Sequence, residues 1–147
     1  MNRRVMTACV AGVAIAAVSL GTAFALPSHP SNRSWAFLFN AEQTASHVYQ
    51  HQFVGGDKDV DPSGKVIGAD TLQCRVTNNG ATGDCVVAAS FKGGQVYGTF
   101  TQNLKTGALS GKVTGGTRTY KGAAGSISGH AVNNTTEHVS VRFQTPL

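Results

Sequence analysis

The sequence predicts an all-β protein, an eight-stranded antiparallel β-barrel of calycin-like form, carried behind a removable targeting segment. Three observations lead there. Short runs rich in Val, Thr, Phe and Tyr alternate with turn-forming clusters about every 8–12 residues, the spacing of a sandwich or barrel. The 147 residues include 18 glycines, spread evenly, and each interior glycine costs a helix up to about 1 kcal/mol. With no helix to cover a sheet, the apolar strand faces have only one another to pack on, and closing the sheet removes its exposed edges.

Taken in order, the chain opens on a segment that reads as a signal peptide. Arg3 and Arg4 give a positive start, residues 5–20 are apolar or small, and Ala23 and Ala25 offer the small side chains of a cleavage site. The apolar run is shorter than the roughly 20 residues a membrane-spanning helix needs, so no membrane span is expected. The predicted division is a signal peptide at 1–25, cleaved after Ala25, a flexible leader at 26–33 and one barrel domain at 34–147. Strands are predicted at 34–40, 47–54, 65–77, 84–92, 95–102, 108–114, 123–132 and 137–144. Between the second and third lies a polar connection, 57–64, ending in Asp61-Pro62-Ser63-Gly64, where Pro presets one turn dihedral and Gly accepts a positive φ. Gly93-Gly94 reads as a two-residue hairpin turn. In the last strand Val139, Val141 and Phe143 share one face and His138, Ser140 and Arg142 the other, which puts one face in a core and one in water.

Cleavage after Ala25 leaves 122 of the 147 residues, the size of one domain with one core. It also removes Arg3 and Arg4 and takes the net charge from +5 to +3. The remaining positive charges are scattered, which excludes the concentrated basic patch of a nucleic-acid surface. Two cysteines remain, Cys74 and Cys85, flanking the turn cluster Asn78-Asn79-Gly80-Ala81-Thr82-Gly83. In an exported protein such a pair forms a disulfide, and a hairpin bend near Asn79-Gly80 brings the two opposite each other. A zinc site needs further ligands at suitable spacing, and none occurs.

From residue 61 onward the chain resembles the allene oxide cyclase-like and dirigent-like barrel proteins. The likeness rests on DPSGKVIGADTLQC, FKGGQVYG and GKVTGGTRTYKGAAGSISG, in which Gly115, Gly116, Thr117, Tyr120, Gly122, Ala123 and Gly125 match the family's strand–turn–strand pattern. The resemblance implies an eight-stranded barrel with a central apolar cavity, often assembled as a dimer or trimer. It does not carry a catalytic set across. Arg118 stands where the family has glycine, Thr119 where dirigent proteins often carry an acid, and Ala124 where they carry arginine. Glu42, the early glutamate, lies outside a recognisable motif.

Candidate chemistry is therefore read from the residues themselves. Asp70 shares a strand face with Leu72, Cys74 and Val76, and a carboxyl facing an apolar interior has a raised pKa and can serve as a general acid or base. His47, Tyr49 and His51 share a face of another strand and are candidate ligand-binding residues if that face lines the cavity. They are otherwise an outer, solvated face, and residues four apart on a strand are about 13 Å apart, too far to share a metal ion. Tyr120 is a candidate end-closing and ligand-binding residue. Asp57, Asp59 and Asp61 read as a solvated acidic loop without the spacing of a calcium loop. No cofactor and no metal site is predicted. The expected function is a secreted barrel that binds a small apolar or aromatic molecule and steers its cyclisation or coupling. The alternative is a non-catalytic structural or carrier module of the cell surface or secreted milieu.

Overall fold

The computed structural model describes residues 31–147. Eight antiparallel strands follow one another in chain order and close into a barrel. They are β1 (Asn32–Tyr49), β2 (Gln52–Val60), β3 (Val66–Thr77), β4 (Thr82–Phe91), β5 (Gly94–Asn103), β6 (Ala108–Gly116), β7 (Ala124–Asn133) and β8 (Thr136–Pro146). Single 3-10 turns, Asn78–Gly80 and Arg118–Tyr120, join β3 to β4 and β6 to β7. Among the described residues no helix is long and apolar enough to cross a membrane. The expected signal peptide and residues 26–30 of the expected leader lie outside the described residues.

Closure falls to β1. Its first part pairs with β8, from Asn32 opposite Pro146 to Glu42 opposite Thr136. Its second part pairs with β2, from Asn40 opposite Val60 to Tyr49 opposite Gln52. This corrects the sequence reading in three places. Asn32 and Arg33, assigned to the leader, are already paired with Pro146 and Thr145. The strands expected at 34–40 and 47–54 are not separate, because residues 41–46 contain no Gly, Pro or Asn to turn the chain. The first hairpin instead turns at Gln50 and His51, with Gln50 at φ +51°. The polar connection expected from residue 57 begins only at Asp61, since Asp57–Val60 pair along β3. The Asp61–Gly64 turn is present, with Asp61 Oδ1 accepting hydrogen bonds from the Ser63 and Lys65 backbone amides and the Ser63 hydroxyl.

Alternation then fills the interior. One end is aromatic: Phe37 stacks on Phe91 with ring centroids 4.3 Å apart, and Tyr120 meets Trp35 edge-on at 5.1 Å and Phe143 at 5.5 Å. Edge-to-face and offset pairs of this kind add about 0.5–1.5 kcal/mol beyond their burial. Tyr120 is 3% exposed, and Gly93 leaves it room, because a Cβ there would lie 2.6 Å from the tyrosine hydroxyl. Toward the β3–β4 turn, Cys74 and Cys85 face each other across the ladder and are disulfide-bonded. The disulfide is compatible with an extracellular protein.

The bond joins positions 11 residues apart, a short loop. Replacing both cysteines by serine is expected to lower stability by about 2–3 kcal/mol, read as a reduced urea midpoint, with a slope equal or steeper because the unfolded chain is no longer cross-linked. An equal midpoint for the two proteins contradicts this.

Candidate functional site

The period-2 alternation that builds the barrel also sends four carboxyl groups inward. On β2, Asp57 and Asp59 point in while Lys58 points out, where its ammonium lies 2.8 Å from the Glu42 carboxylate. On β3 the inward positions are Gly68, Asp70, Leu72 and Cys74, and on β8 Glu137 begins the inward row that continues through Val139, Val141 and Phe143. Register gathers these acids into one sector of the wall. Asp57 pairs with Asp70, Asp59 with Gly68, and Glu137 with Ala41, next to Asp59 on the far side of β1. Ala41, with only a methyl group, separates the β8 acid from the β2 acids. Gly68 is needed for the same reason: a Cβ there would lie 2.9 Å from Asp59 Oδ2 and 2.7 Å from the Ser90 carbonyl.

Asp59 is 0% exposed, Asp70 8% and Asp57 9%. Both Asp59 oxygens and Asp70 Oδ1 lack a hydrogen-bond partner. Burial therefore works on these groups almost unopposed, since removing a carboxylate from water favours its protonated form. It pushes Asp59 up to about 7 and Asp70 up to about 8, with the Asp59 and Asp57 charges adding to the effect on Asp70. Asp59 and Asp70 are close enough to share a proton and titrate as a pair, although neither Asp59 oxygen is aligned for a full hydrogen bond. Asp57 and Glu137 are raised in the same direction, again chiefly by burial. Glu137 is partly relieved by a short hydrogen bond donated by the Gln102 amide.

Three of these acids, Asp57, Asp70 and Glu137, line a cavity of about 40 Å³. The rest of its wall is apolar, with Phe39, Phe91 and Phe100 as its largest members. A volume of that size holds only a few water molecules. No lysine, arginine or histidine lines it, and among the described residues no group of three or more His, Cys, Asp or Glu side chains is arranged to hold a metal ion.

Of the residues singled out from sequence, Asp70 sits in this wall as its strand face implied. His47, Tyr49 and His51 do not. They lie on or beside the β1–β2 hairpin, which extends past the last β1–β8 pair, and they are exposed, Tyr49 at 64%. They are corrected from cavity residues to surface residues, because the first hairpin turns later than expected. Tyr120 closes the aromatic end and is not among the cavity-lining residues. Asp57 and Asp59, read as a solvated loop, are instead interior groups, and Glu137 was not singled out at all. A parity signal was present for each: Asp57 and Asp59 share a face by spacing, and Glu137 has the parity of Val139 and Val141.

No family model matches the sequence, and no curated protein matches it. Solved structures do. A pyocyanin demethylase superposes with a TM-score of 0.64 at 16% identity, over 74% of this chain and 99% of its own. AbnU, an exo-specific intermolecular Diels-Alderase, gives 0.64 at 11% identity, over 78% and 99%. A nonspecific heme-binding cyclase that catalyses a 4 + 2 cycloaddition in neoabyssomicin biosynthesis gives 0.60 at 13% identity, over 78% of this chain and 67% of its own. At these identities the likeness is one of fold: the chain is a barrel of the kind that includes these proteins.

The raised acids set a pH dependence. Their folded pKa values lie above the unfolded value of 3.8, so the fold holds protons that the unfolded chain releases. Stability is fully present below about pH 4 and is lost as pH rises through about 7 to 8, by up to about 1.4 kcal/mol per pH unit for each carboxyl. Asp61, whose hydrogen bonds lower its pKa, works in the opposite direction at acid pH. Asp59→Asn is expected to melt above the parent at about pH 8 and to lose that advantage by about pH 4. Melting curves of the two proteins that stay parallel from pH 4 to 8 rule this out.

Proposed function

We propose that this protein is a secreted barrel of the allene oxide cyclase and dirigent kind, exported by cleavage after Ala25, which admits a small apolar or aromatic molecule to its interior and steers its cyclisation or coupling. The observation that carries this reading is the apolar cavity whose wall includes Asp70, a buried carboxyl with one oxygen that has no hydrogen-bond partner. Enclosure in a shaped wall holds reacting atoms in a productive geometry, an effect worth several kcal/mol without any covalent chemistry by the protein. Asp70, raised toward neutrality by burial, is suited to give a proton to a ligand or take one from it. Fold neighbours that carry out cyclisations support the reading by analogy.

Entry requires the wall to yield, because about 40 Å³ does not accommodate an aromatic ring. The same small volume favours the second reading, a non-catalytic structural or carrier module whose interior is already nearly full. Assembly as a dimer or trimer belongs to the proposal and is compatible with either.

Native mass spectrometry of the protein purified from its host's medium separates the two. The proposal expects a chain that begins at Leu26, two hydrogens short, carrying a reproducible small-molecule adduct. That adduct should be lost in Ala89→Leu, which fills the cavity. A ligand-free mass that stays empty against apolar and phenolic libraries replaces the proposal with the structural reading.

A further inference from the structure

The cavity's polar groups are nearly all of one kind. Outside the acid sector the cavity lining is apolar or glycine apart from Tyr97, whose hydroxyl donates to Gln95. The charged or titratable groups facing Asp70 are Asp57, Asp59 and Glu137, from β2 and β8, and no cationic side chain from β1 to β8 lines the cavity. Barrels bury acids at a cost of several kcal/mol each unless something compensates them, and here the protein supplies only Gln102 to Glu137. Three carboxyls also offer more acceptor sites than donors in any protonation state, since each has two oxygens and carries at most one proton. A carbonyl ligand, itself an acceptor, uses one donor and faces the remaining lone pairs. An ammonium has three donors and no acceptor.

The aromatic lining points the same way. Phe39, Phe91 and Phe100 line the same cavity as the three acids, and aromatic rings attract cations, more strongly when water is excluded. We propose that the cavity takes a small apolar or aromatic molecule bearing a protonated nitrogen, seated with that nitrogen against Asp57, Asp70 and Glu137 and its apolar body among the phenylalanines. This rests on the reading above that the barrel admits a small molecule, and adds the charge that the molecule carries. On binding, the cation takes the place of a proton: a carboxyl that was neutral releases its proton to solvent and pairs as carboxylate with the ammonium. No bond to carbon is made or broken.

The test is calorimetric titration of the disulfide-bonded protein with three ligands that share one ring, benzylamine, benzyl alcohol and benzoate. Benzylamine is expected to bind about tenfold more tightly than benzyl alcohol at about pH 8, the difference a charge-assisted contact makes over a neutral one. The preference should shrink toward about pH 5 as the carboxyls protonate, and benzoate should not bind. Asp70→Asn and Glu137→Gln should each reduce the amine-to-alcohol ratio severalfold, and both remove a buried ionisable group without changing its shape. If the alcohol binds as well as the amine, or benzoate binds best, the cation inference falls while the small-molecule reading stands. If the amine preference survives both substitutions, the amine is held on the outer surface and the inference falls. If none of the three binds, the inference and the reading beneath it both fall.

Discussion

Closure of the sheet through β1 is the constraint on which the rest depends. One strand of 18 residues hydrogen-bonds to β8 along its first part and to β2 along its second, and this buries most of the inward side chains, Asp57, Asp59 and Asp70 among them. An open sheet with the same sequence would leave Asp57, Asp59 and Asp70 on a solvated face with ordinary carboxylate behaviour. In the barrel they become groups whose protonation is decided by burial. The same closure brings Trp35, Phe37, Phe91, Tyr120 and Phe143 into mutual ring contact at one end.

The interior is divided accordingly. Its aromatic end is fully packed and accounts for stability by burial and ring contacts. Its acid sector is the opposite: an unpartnered buried polar atom costs about 1–3 kcal/mol, and three such oxygens lie within two adjacent strands. A fold built for stability alone would place Asn or Leu at these positions. Asp70, with one of these oxygens, lines the cavity, and Asp59, with the other two, lies beside it in the wall.

Much of the architecture was legible because it depends on local rules. Strand number, the Asp61–Gly64 turn and the cysteine pairing follow from turn chemistry and spacing, and each is present; the reversal expected at Gly93-Gly94 falls one residue earlier, at Lys92-Gly93, because Gly94 already pairs with Phe91. The break expected between residues 40 and 47 is absent, because nothing in residues 41–46 turns the chain and β1 runs through them. That one displacement moved His47, Tyr49 and His51 out of the expected cavity. Asp57 and Asp59 were hidden by their chemistry: alternate Asp and Lys look like a solvated loop, and only pairing with β3 shows that the alternation is a strand's. Asp70 was found because its strand neighbours are apolar. Glu137 has the same parity as its apolar successors, but the alternation of the last strand was read from His138 and Val139 onward and so passed over it.

The most direct test of the account is a carbon-13 NMR titration of the aspartate and glutamate side-chain carboxyls. The account predicts that Asp59 and Asp70 titrate together well above the usual carboxylate range, toward neutral pH, with Asp57 and Glu137 displaced in the same direction. Asp61 should titrate below its ordinary value in the same spectra. Ordinary midpoints near 4 for Asp59 and Asp70 would mean that water or a counter-charge reaches them, and the sealed acid sector would have to be abandoned.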